Sequence, residues 1–135
     1  MSSVRLRLVI LLLALAAAPA LAPSSTAAPP FKAVLEAPTH TPRTNTKWRF
    51  EVRATDLAGK PIRAKLTAQV IDPFGLAHPV EYDGTHIPIV NRPFFGIFRD
   101  YAIWPPESRG FRVTFKAIVA ARGAKIVLRY AVTPR

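Results

Sequence analysis

Trp48-Arg49-Phe50-Glu51-Val52-Arg53-Ala54 sets an apolar side chain against a charged one at every step. A period of two sends successive side chains to opposite faces of a strand. One face of this segment is therefore apolar and the other charged, as expected of a strand in a sheet with one buried and one wet side. The same period recurs downstream. Ile62, Leu66 and Val70 alternate with Arg63, Lys65 and Gln69; Phe111, Val113, Phe115 and Val119 alternate with Arg112, Thr114 and Lys116. Ile126, Leu128, Tyr130 and Val132 alternate with Lys125 and Arg129.

Turn chemistry separates these runs. Asp56 to Pro61 divides the second strand from the third, and Asp72-Pro73-Phe74-Gly75 ends the third because proline cannot donate to a ladder. Asp83-Gly84 marks a turn, Trp104-Pro105-Pro106 closes a strand, and Arg122-Gly123 joins the last two as a hairpin. Fourteen prolines oppose long helices. Seven strands are expected: 31–37, 47–55, 63–71, 80–82, 94–103, 111–120 and 125–133. Their number, length and spacing predict an all-β fold, an immunoglobulin-like antiparallel sandwich of two sheets and about seven strands.

The stretch ATDLAGKPIRAKLTAQV (residues 54–70), with Asp56, Gly59, Lys60 and Pro61, resembles the early strands of bacterial Ig-like domains of exported proteins, both invasin-type and YtkA-like. GIFRDYAIWPPESRGFRVTF (residues 96–115) is similar to their later strand, proline-rich corner and returning strand. The resemblance covers most of residues 31–133. It implies a fold and an exported setting, and no activity, since such sandwiches host many roles. The cysteine pair of antibody domains is absent.

The N-terminal stretch reads differently. Arg5 and Arg7 precede an unbroken apolar run, Leu8 to Ala18, followed by small residues and prolines. A basic head, a short apolar middle and a small-residue tail predict a secretory signal peptide over residues 1–27, cut between residues 20 and 28. The run is shorter than the roughly 20 residues that span a bilayer; an uncleaved N-terminal anchor is the alternative. Residues 28–135 then form one exported domain, extracellular, periplasmic or at the cell surface, with no transmembrane span after processing. The chain has no cysteine, which excludes disulfides and a lipid-modified cysteine. Its composition suggests a bacterial source.

No catalytic constellation emerges, and no enzymatic activity or cofactor is expected. Ser108 lies in a turn-like corner without a nucleophile elbow. The eight acidic residues are scattered, and no carboxylate pair can be placed in one cleft. His40, His78 and His86 fall in proline-rich or turn segments without the close spacing of a metal motif, although His78 and His86 flank one short expected strand.

Charge carries the functional hint. Nineteen lysines and arginines oppose eight acids, for a net charge of +11. In an immunoglobulin-like sandwich the third, sixth and seventh strands share a sheet. The outward positions of that sheet are then Arg63, Lys65, Arg112, Lys116, Lys125 and Arg129, with no acid among them. Such a face suits an anionic envelope polymer, a lipid surface or an acidic protein. Nucleic acid is not expected, because of the compartment and because the aromatics Trp48, Phe50, Phe111, Phe115 and Tyr130 read toward the core. Alternation through Phe94-Phe95-Gly96-Ile97-Phe98 turns Phe94 and Phe98 outward as apolar contacts, unless a bulge at Gly96 resets it. The expected function is a binding module at the cell envelope. A small copper- or zinc-handling protein using His78 and His86 is the second reading, and a structural accessory domain the third.

Overall fold

The computed structural model describes residues 27–135; the expected signal peptide falls almost wholly outside the described residues. Eight strands follow in chain order: β1 (Lys32–Glu36), β2 (Lys47–Thr55), β3 (Arg63–Ile71), β4 (Ala77–Pro79), β5 (Arg92–Phe95), β6 (Ile97–Ile103), β7 (Val113–Ala121) and β8 (Ala124–Val132). They form two antiparallel sheets, one ordered β1-β2-β6 and the other β4-β3-β7-β8, with β5 also paired to β3. The fold is an all-β sandwich. The strands expected to share a sheet, here β3, β7 and β8, do so. Among the described residues no helix is long and apolar enough to cross a membrane.

Two expected strands take another form. Residues 80–82 are not a strand: β4 ends at Pro79, and Tyr82–Gly84 makes a single 3₁₀ turn. The chain leaves the sheet there and returns at Ile89. The neck is closed where Val80 N–H donates to Ala68 O (3.1 Å), Ile89 N–H to Val80 O (2.8 Å) and Ala68 N–H to Ile89 O (3.1 Å). As a result β4 and β5 lie end to end along one edge of β3.

The expected strand 94–103 is two strands in different sheets. β5 pairs with β3, whereas β6 pairs with β2. Gly96 makes the crossing at φ +71°, a conformation that disfavours a side chain. Its N–H donates to Ile62 O (2.9 Å) in one direction and its carbonyl accepts from Ala54 N–H (2.8 Å) in the other.

The inward faces meet around Trp48, which packs edge-on against Trp104 and Phe115, with ring centroids 5.4 and 5.2 Å away. Phe50 completes the cluster, 4.7 Å from Phe115. The Trp48 indole N–H donates to Thr39 O at 2.8 Å, so this buried ring carries no orphaned donor. Thr133 N–H donates to His40 O (2.8 Å) and Arg135 N–H to Pro42 O (2.9 Å), tying the segment after β8 to the β1–β2 connection.

Candidate anion-binding face

The alternation of β3, β7 and β8 decides which residues face outward, and the register decides which stand side by side. Lys65 pairs with Ala120, and Ala120 with Lys125. One step along, Thr67, Ile118 and Val127 form a row; one step further, Gln69, Lys116 and Arg129 form another. The outer face thus has two basic bands separated by an uncharged row, with the bands about 13 Å apart at strand spacing. Arg63 extends the first band along β3, opposite Phe95. Arg112, expected on this face, stands one residue before β7 and is not set by the ladder.

The eight acidic residues of the chain fall on β1, β2, β6 and the connections, so none lies in β3, β4, β5, β7 or β8. Lys116 and Arg129 are direct cross-strand partners. Like charges in that relationship destabilise a sheet, and no carboxylate offsets them: among the described residues the five outward cations make no ion pair.

The other sheet resolves the same problem internally. Glu51 on β2 accepts from Arg53 Nε at 2.6 Å and from Arg99 Nε at 2.7 Å. The bond from Arg99 is the largest cause holding the Glu51 carboxyl below the ordinary carboxylate range; desolvation opposes it, and the bond from Arg53 adds to the lowering. The outward residues of β2 include Arg49, Glu51 and Arg53, and the single carboxylate bridges Arg53 to Arg99 on the neighbouring strand.

Small side chains leave a hollow at one end of the basic face. Ala120 and Ala121, with Arg63, Lys65, Pro93 and Phe95, line an open hollow of about 450 Å³. Phe95 is 63% exposed there, an aromatic beside two cations. This corrects the expected apolar contacts. Phe98 is only 7% exposed and packs on Phe50, and Phe94 is half-buried against Phe98. Burial alternates without a break from Arg92 through Gly96 to Asp100, so the period holds and the faces are the reverse of those expected: Phe94 and Phe98 turn in, Phe95 and Ile97 out. Phe111, expected inward, precedes β7 and is exposed. Trp48, Phe50 and Phe115 lie buried in the core and Tyr130 packs against it, as expected. Arg92, which periodicity did not single out, turns to the opposite side of β5 and lies 3.4 Å over the Tyr82 ring.

The histidines engage separate partners. His78 Nε2 donates to Asp72 Oδ2 at 2.9 Å, His86 Nδ1 lies 3.7 Å from Glu81, and His40 Nδ1 donates to Ala131 O at 2.6 Å while stacking on Tyr130. The His78 bond, then backbone N–H donors from Leu76 and Phe74, lowers the Asp72 pKa. Among the described residues no group of three or more histidines, cysteines and carboxylates stands close enough to hold a metal ion. The chain matches no protein-family model, no curated protein and no solved structure.

Proposed function

We propose that this chain is an exported, non-catalytic binding module whose acid-free sheet face docks on an anionic surface of the bacterial cell envelope. The observation that carries the reading is the direct opposition of Lys116 and Arg129 on a sheet with no acidic residue. The fold pays for that arrangement in repulsion, and a bound anion relieves it. Lys65, Lys125, Lys116 and Arg129 supply the electrostatic contact across both bands, with Arg63 and Phe95 lining the hollow at the end. Export is supported by the basic head and short apolar run before residue 20 and by the likeness to bacterial Ig-like domains.

Co-sedimentation tests it. The purified protein is spun with vesicles of phosphatidylglycerol and phosphatidylcholine, with vesicles of phosphatidylcholine alone, and with an anionic wall polymer. Binding to the anionic preparations, weakening as salt rises, and its loss in the K65E/K116E/K125E/R129E variant with the fold retained, support the assignment. Equal binding to neutral vesicles, or unchanged binding by the variant, reduces the charge to a solubility device.

A further inference from the structure

The side of the sandwich between β4 and the end of β6 carries a second, chemically opposite feature. An open groove of about 680 Å³ runs there, in the size range of small-molecule sites. Its walls are apolar: Phe74, Pro79, Ile103, Trp104 and Phe111 all line it. Two of these rings stand unusually free, Phe74 at 89% and Phe111 at 55% exposure. Phe74 is held by a turn in which Asp72 Oδ1 accepts from the N–H groups of Phe74 (2.8 Å) and Leu76 (2.9 Å).

Two further observations bear on what enters. The charged lining residues are Asp72, Glu81 and Glu107, with His78 bonded to Asp72, and none is a lysine or arginine. In a chain with nineteen basic residues and eight acids, that is a sharp segregation of charge. Second, Trp104 is 3% exposed, and its indole Nε1–H is a buried side-chain donor without a hydrogen-bond partner. An orphaned donor of this kind costs stability until an acceptor reaches it.

We infer that this groove binds a small cationic amphiphile, with an apolar body against Phe74, Ile103 and Phe111 and a positive head toward Glu81 and Glu107. The exposed aromatic faces favour such a head as well. Trp104 forms part of the groove wall, so its indole N–H resonance reports occupancy. The site is independent of the basic face and lies elsewhere on the sandwich.

Decanoylcholine is the probe, below its micellar concentration, with decanoate and decyl maltoside as controls of equal chain length. The expected result is saturable binding of decanoylcholine, at least roughly five-fold tighter than either control. The indole N–H resonance of Trp104 should move while that of Trp48, bonded to Thr39, stays. E81Q/E107Q should cost about five-fold, the scale of two exposed charge contacts, and F111S should weaken all chain binding. Equal affinity for the three head groups overturns the inference, as does an unmoved Trp104 resonance. Binding of a lysine-flanked apolar peptide where decanoylcholine fails also overturns it, in favour of peptide docking.

Discussion

Lys116 and Arg129 stand directly opposite each other on neighbouring strands, on a sheet that contains no carboxylate. That pair separates binding from solubility. Lys116→Glu places opposite charges in register and should raise stability by about 0.5 kcal/mol, while weakening binding to anionic vesicles. A urea midpoint and a sedimentation assay on the same preparation read both. A variant that gains stability and keeps full binding would show that the pair has no functional role.

Gly96 lies hard against Pro61. A Cβ added at Gly96 would come 2.8 Å from Pro61 Cβ, and the residue sits at φ +71°. Gly96→Ala therefore combines a steric clash with a strained backbone and should cost about 2 kcal/mol or more. Chemical denaturation measures it; a loss below about 0.5 kcal/mol would mean that the crossing between sheets tolerates a side chain.

The β7–β8 turn makes the opposite prediction. Arg122 and Gly123 both hold positive φ, 49° and 73°, the pattern of a two-residue hairpin turn that favours Asn-Gly or Gly-Gly. Arg122→Gly should stabilise the protein by roughly 0.5 kcal/mol or leave it unchanged. A thermal melt decides, and clear destabilisation would point to a contact made by the Arg122 side chain.

Acid should unfold the protein through Glu51 and Asp72. Both carboxyls are lowered in the fold, by Arg99 and by His78 first among their partners. The unfolded chain therefore takes up their protons at higher pH than the folded one. The stability they confer is complete above the ordinary carboxylate range, about pH 4, and is lost as pH falls through the lowered folded values. Glu51→Gln should make the acid limb of the stability curve shallower. An unchanged acid limb would show that the bridge to Arg53 and Arg99 does not favour the charged carboxylate.

Most strands and five of the six outward basic positions are legible because period-two alternation is local: Trp48 to Ala54 and Lys125 to Val132 each declare two faces unaided. The Arg122-Gly123 hairpin was legible from its turn chemistry. Which sheet a strand joins is not a local property, so the crossing at Gly96 was visible only as a glycine that can reset alternation. The alternation runs through that glycine unbroken, and period alone does not say which of its two faces is the core, so Phe94 and Phe98 read as outward when they are inward. Phe111 misled for a related reason, since its alternation continues past the point where the β7 ladder begins. The groove left no periodic signal, because its walls come from residues 70–84 and 101–113, brought together by the packing of the two sheets.

The most direct test of the basic face is residue-level mapping. Amide and side-chain resonances of the protein would be followed during titration with phosphatidylglycerol-containing nanodiscs at low and high salt. Salt-sensitive changes concentrated at Arg63, Lys65, Lys116, Lys125 and Arg129, with Phe95 among them and Arg49 and Arg99 unaffected, are the predicted result. Changes centred on the β1-β2-β6 sheet, or spread evenly over both sheets, would contradict it.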